Sequence, residues 1–178
     1  QDICDRIENV SLLESVDATG YASKETWESC GFGAPVGTPG LEDVLRKGSA
    51  VFADGIHLAA SSQGTVKDGT LILPAKLPDG ATWQSEYVIG SGDGATHYRG
   101  TDVVEGRETA STPAGAFDAI RIVSNATVES AGTRATVCTT VWYALDVGSV
   151  RTESETTVEG GVPTKVVVEL IDAGRPSS

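Results

Sequence analysis

Two histidines, three cysteines and a scatter of Asp-Gly pairs are the residues of this chain whose types and spacing could do chemistry. His57 beside Asp54, or His97 beside Asp102, would make an acid and base couple, with Ser61 or Ser62 as the nucleophile. Neither serine sits in a Gly-x-Ser-x-Gly context, so a hydrolase-like enzyme ranks third among the function classes and no catalytic residue is expected. The cysteines lack the C-x-x-C spacing of zinc sites, and a fourth ligand would have to come from His57 or His97. Asp-Gly turns at Asp54, Asp68, Asp79 and Asp93 offer oxygens to calcium, but no D-x-D-x-D-G loop gathers them. The glycine-rich stretch 90–94 runs on into a strand rather than into Gly-Lys-Ser/Thr and a helix, so it reads as a turn and not as a phosphate loop. No cofactor and no metal are expected.

The cysteines point to a crosslink instead. Three thiols allow one intramolecular disulfide, with Cys4–Cys30 as the first choice and a bond from Cys138 to one of them as the rival. Closing the loop of about 27 residues between Cys4 and Cys30 would contribute roughly 3 kcal/mol by restricting the unfolded chain. Cys138 stands among Thr, Val and Trp in a strand pattern, which suits a packed thiol better than a nucleophile. Asn9-Val10-Ser11 and Asn125-Ala126-Thr127 fit the glycosylation acceptor pattern, which matters only in a eukaryotic source.

The elements that must position these residues are mostly strands. Twenty valines, nineteen threonines and 21 glycines in 178 residues favour sheet and turns over helix. Apolar alternation marks about eight strands, near 50–60, 64–73, 82–90, 97–109, 117–128, 133–145, 149–158 and 164–171. Between them lie turn residues such as Lys67-Asp68-Gly69, Pro78-Asp79-Gly80 and Glu159-Gly160-Gly161, short enough for antiparallel neighbours. Ile120, Ile122, Ala126 and Val128 fall on one face of their strand, with Arg121, Asn125 and Thr127 on the other. Ala135, Val137, Val141 and Tyr143 repeat the pattern against Arg134, Thr136, Cys138, Thr140 and Trp142, whose two large or soft members imply a partly covered second face. Helices are expected at two places: an amphipathic one on Ile3, Ile7, Val10 and Leu13, and one over 41–47, where acids precede bases and Gly48 follows.

These readings divide the chain into an arm at 1–40, partly irregular and disulfide-stapled, an antiparallel β domain at 41–172, and a polar tail at 173–178. A length of 178 residues suits one domain burying about 70% of its unfolded surface. Thirteen Lys and Arg against 25 Asp and Glu leave a formal charge of −12, which repels phosphate backbones and excludes nucleic acid as a partner. No apolar run approaches membrane-spanning length. A chain that starts at Gln1 and holds no Met reads as the mature form of an exported protein, secreted, periplasmic or at the cell surface.

Three stretches carry a resemblance: Leu73-Pro74-Ala75-Lys76-Leu77-Pro78-Asp79-Gly80-Ala81-Thr82-Trp83, then Thr112-Pro113-Ala114-Gly115-Ala116-Phe117-Asp118-Ala119-Ile120-Arg121-Ile122, then Trp142-Tyr143-Ala144-Leu145-Asp146-Val147-Gly148-Ser149-Val150-Arg151. Their order and spacing resemble an uncharacterised group of bacterial secreted proteins and lipoproteins with P-G-x-x-W, V-P-A-G-x-F-x-A and W-Y-A-x-G-V-G-x-V signatures, over about 71–170. Here Asp146 replaces the usual glycine, a substitution that left-handed backbone tolerates. The resemblance implies an antiparallel sheet, curved like the half-barrels of periplasmic lipoprotein carriers.

The fold expected is therefore all-β with minor α: one curved antiparallel sheet or half-barrel of about eight strands with one or two short helices, or else a β-sandwich. The function expected is non-enzymatic, at the bacterial cell envelope or outside it. In one version a half-barrel pocket lined by Trp83, Tyr87, Trp142 and Tyr143 holds a lipid or other hydrophobic ligand. In the other the arm adds to a neighbour's sheet edge and the protein self-associates into a filament or surface layer, or engages an envelope partner.

Overall fold

The structure, a computed structural model, describes residues 7–17, 20–29, 41–61, 70–90 and 92–172. All regular elements there are strands apart from one 3-10 turn at Gly92–Gly94. No helix among the described residues is long and apolar enough to cross a membrane. The chain divides into two compact units, Gln1–Ala75 with Ile89–Ser91, and Lys76–Val88 with Gly92–Ser178.

The first unit is a five-stranded antiparallel meander of β1 (Ile7–Asp17), β2 (Gly20–Ser29), β3 (Leu41–Phe52), β4 (Gly55–Ser61) and β5 (Thr70–Pro74), in that spatial order. Both expected helices are strands instead. Residues 7–17 pair with β2, and 41–47 lie inside β3, between β2 and β4. A helix of seven residues is too short to hold itself, however well its charges suit the dipole, whereas a strand with partners gains a hydrogen-bond ladder. Gly55 opens β4 at φ 146°, and a Cβ there would collide with the Leu73 carbonyl oxygen on β5, so only glycine lets these backbones approach. Cys4, Cys30, Ser62, Asp68 and the tail 173–178 lie outside the described residues.

The second unit is a six-stranded antiparallel sheet of β6 (Thr82–Ile89), β7 (Thr96–Thr112), β8 (Gly115–Ser130), β9 (Thr133–Ala144), β10 (Gly148–Val158) and β11 (Thr164–Glu169), with neighbours in chain order. Its turns are the glycine turns read from the sequence. Pro113-Ala114 joins β7 to β8, and Ala131-Gly132, both at positive φ, joins β8 to β9 as a two-residue hairpin. Asp146, in place of the glycine that the resembled group carries, adopts φ 61°. The all-β antiparallel class is as expected; among the described residues eleven strands form two sheets, where the expectation was one curved sheet of about eight strands or, as the alternative, a β-sandwich.

The six-stranded sheet is open and strongly curved. β7 and β10 come into contact although β8 and β9 separate them in the ladder. Arg151 on β10 reaches the Ser111 carbonyl oxygen on β7 at 3.5 Å, and the Ala114 N–H donates to the Leu170 carbonyl at 3.1 Å. The curl is toward the side that carries Arg121, Trp142 and Arg151, which is therefore concave. A small core of Ala110, Ala119, Trp142, Ala144 and Val150, with Phe117 and Leu170 against it, fills one end of the curled sheet.

Candidate functional site

The concave face can be read rung by rung, because the register is regular and alternate residues share a face. Next to the small core, one rung runs Arg121, Trp142, Arg151 and Glu169 across β8 to β11. The Trp142 Nε1–H donates to Glu108 at 2.6 Å, and the Arg121 and Arg151 guanidiniums stand 5.9 and 5.5 Å from the ring centroid. Arg121 is held by Glu105 at 2.8 Å, and Arg151 by Glu153 at 2.6 Å and Glu169 at 2.8 Å. Glu105 can reach Arg121 because the register slips between Val104 and Gly106, where φ is 126°. Trp142 is thus a buried structural anchor with its polar atom satisfied and cations from both neighbouring strands near its ring.

Two rungs farther on, the same face becomes a groove of about 470 Å³. Its floor is Thr101, Asn125, Cys138 and Glu155 on one rung and Arg99, Thr127, Thr136 and Thr157 on the next, with Gln84 of β6 completing the wall. Both charged types at this groove are already paired. Arg99 binds Glu86 at 2.7 Å, a contact that holds the Glu86 carboxyl below and the guanidinium above their ordinary ranges. Lys165 binds Glu155 at 3.0 Å, which raises the ammonium above its usual range. What remains of the lining is uncharged: hydroxyl and amide groups, with Gly100, Ala126 and Val137 between them, beside an exposed, free thiol at Cys138.

The opposite face is apolar with a polar seam. Ile122 pairs with Val141 and with Val104, and Ile120 with Tyr143. Across it run Asp102, Ser124, Thr139 and Ser154, satisfied in place: the Ser85 hydroxyl donates to Asp102 at 2.7 Å, Tyr98 and Ser124 meet at 3.2 Å, and Thr139 and Ser154 meet at 3.2 Å. Tyr87 stacks on Tyr98 with centroids 4.5 Å apart and planes 12° apart. Burial first, then the neighbouring Tyr98 and Asp102, push the Tyr87 phenol up to about 12, and burial raises Tyr98 as well.

The four residues read as a ligand pocket do not share one face. Tyr143 and Trp142 are consecutive on β9 and point to opposite sides, Trp142 to the concave face and Tyr143 to the apolar one. Trp83 and Tyr87 lie on the apolar side, by strand alternation from Ser85, which bonds Asp102. The indole Nε1 of Trp83 is buried with no hydrogen-bond partner among the described residues. Sequence reading missed Tyr98, although its spacing from Val104 marks the same face, and it missed the groove, whose signal was the polar phase Asn125, Thr127, Thr136.

The histidines do not form one constellation. His57 pairs with Asp54 across the β3–β4 turn at 3.0 and 3.1 Å. His97 is five positions from Asp102 in an unbroken stretch of β7, which puts the two on opposite faces. No cluster of three or more His, Cys, Asp or Glu that could hold a metal occurs among the described residues.

Most of the groove floor and of the anchor row falls within the stretch that the comparisons single out, with Gln84, Arg99 and Glu169 outside it. No curated protein and no solved structure matches this chain. Residues 100–157, which run from within β7 to near the end of β10 and carry most of the groove floor, match a family model described as DUF3108-like, an uncharacterised family to which this part of the chain is similar.

Proposed function

We propose that the protein is a non-enzymatic binding protein of the bacterial cell envelope or the extracellular space, and that its ligand is held in the concave groove of the six-stranded sheet. The lining of that groove carries the reading: threonine hydroxyls and the amides of Asn125 and Gln84, with the two charged floor residues, Arg99 and Glu155, already paired. A hydroxyl both donates and accepts, so such a floor matches an uncharged, hydroxyl-rich ligand better than an ion or a hydrocarbon. The volume, about 470 Å³, lies in the range of small-molecule sites and suits an oligosaccharide of a few rings. The net charge of −12 adds a reason for an uncharged ligand, since it disfavours anions. The exported setting rests on the sequence resemblance.

A second reading keeps the hydrophobic ligand and moves it to the other face, where Trp83, Tyr87, Tyr98 and Tyr143 are partly exposed and the Trp83 N–H has no hydrogen-bond partner among the described residues. Thermal unfolding with neutral trisaccharides at millimolar concentration, against lauric acid, separates the two. Stabilisation by a trisaccharide that Asn125→Leu with Thr136→Val abolishes is the expected result. Stabilisation by lauric acid alone, lost in Tyr143→Ala, would move the site to the apolar face, and no response to either probe would sink both readings.

A further inference from the structure

We propose that β11 is a dimerisation edge, pairing antiparallel with β11 of a second copy of this chain about a two-fold axis at Val167. β11 ends the order of the six-stranded sheet, and among the described residues it pairs with β10 alone. The Leu170 N–H donates to the Val150 carbonyl, and Arg151 stands opposite Glu169. That geometry makes Arg151 and Glu169 a pair without direct backbone bonds, so residues 164, 166 and 168 turn their N–H and C=O groups toward β10. Residues 165, 167 and 169 turn theirs outward. A strand edge of this kind, with Val166 37% and Val167 56% exposed and neither proline nor bulge in it, is a template for another strand.

The side chains choose the partner. Outward backbone groups on 165, 167 and 169 need a partner strand with the same spacing, and a second β11 supplies it when Val167 faces Val167. In that register Lys165 of each copy lies opposite Glu169 of the other, and Val166 lies opposite Val168 on the reverse side. The sequence Thr164-Lys165-Val166-Val167-Val168-Glu169 is thus complementary to itself when antiparallel, while a parallel pairing would set Lys165 against Lys165. Each new ion pair joins an existing one, since Lys165 already bonds Glu155 and Glu169 already bonds Arg151, giving an alternating row of charges across both subunits. The contact is isologous, so it closes as a dimer instead of growing as a fibre, and it extends six strands to twelve.

Sedimentation equilibrium of the full chain from micromolar to millimolar concentration tests this, in low and in high salt. A reversible dimer that weakens with salt is expected. Lys165→Glu alone and Glu169→Lys alone should each raise the dissociation constant at least tenfold, and an equimolar mixture of the two variants should recover a heterodimer. Val167→Lys keeps both intramolecular ion pairs and sits on an exposed position, so it should stay folded by circular dichroism while losing the dimer. A chain that is monomeric at millimolar concentration, or a dimer indifferent to Val167→Lys and to the charge swap, overturns the proposal.

Discussion

The two faces of the six-stranded sheet are made from alternate residues of the same strands, yet they solve the burial of polar groups in different ways. On the concave face, charges neutralise each other in pairs and rows, and Trp142 is held among them by Glu108, Arg121 and Arg151. On the other face, a seam of Ser85, Asp102, Ser124 and Thr139 crosses an aliphatic and aromatic surface by hydroxyl hydrogen bonds. The lesson is that position along the strand, more than residue class, separates anchor from recognition surface. Trp142 beside the small core is structural, while Thr136, three rungs away on the same face, lies open in a groove.

The largest expected break in this contrast is Trp142→Ala. Removing a buried Trp should cost about 3–5 kcal/mol, since the cavity adds to the loss of transfer energy and the flanking guanidiniums lose their ring. Tyr143→Ala, one position along on the half-exposed face, should cost about 1–2 kcal/mol. Urea unfolding midpoints of the two variants give the comparison, and equal losses would show that the faces are equally loaded.

A smaller effect concerns pH. Tyr87 keeps its proton to about 12 in the folded chain, above the ordinary tyrosine value near 10 that the unfolded chain retains. Between those values the unfolded state releases its proton first, so stability is intact below about pH 10 and falls as pH rises toward 12. Tyr87→Phe should remove most of that fall, on the order of 2–3 kcal/mol, in denaturant unfolding series across this pH range. An unchanged alkaline limb would mean that the Tyr87 phenol is not the group responsible.

The smallest effect is at the β8–β9 turn, which sets the register of both faces. Ala131 sits at φ 48° without a side chain suited to it. Ala131→Asn should stabilise by about 0.5–1 kcal/mol, a rise of roughly 2–3 °C in Tm, and leave the trisaccharide response unchanged.

Much of the second unit was legible because strand periodicity and turn chemistry agree there. The split of Ile120, Ile122, Ala126 and Val128 from Arg121, Asn125 and Thr127 follows from a side-chain period of two, and the register keeps it across β7 to β9. The helix expected on Ile3, Ile7, Val10 and Leu13 and the one over 41–47 rest on apolar spacing and charges that satisfy a helix as well as a strand, and for Ile7, Val10, Leu13 and 41–47 only pairing with β2 decides the matter. The site was less legible. Trp83, Tyr87, Trp142 and Tyr143 were grouped by residue type, which ignores that neighbours on a strand point apart. The groove was hidden because a row of threonines looks like solvent-facing sheet until the strands curl.

What the sequence alone determined is local or global in the simplest sense: antiparallel strands with short turns, which side chains alternate, a left-handed position that Asp146 tolerates, and a net charge of −12. These follow from backbone sterics and from Coulomb repulsion, which act over a few residues or over the whole surface regardless of fold. The tertiary structure decided which face is concave, that Glu108 and Arg151 meet at Trp142, and that β11 is left at an edge. Those outcomes depend on the accumulated twist and bulges of six strands, including the slip at Gly106, and small per-strand rotations add up only when all the strands are in place.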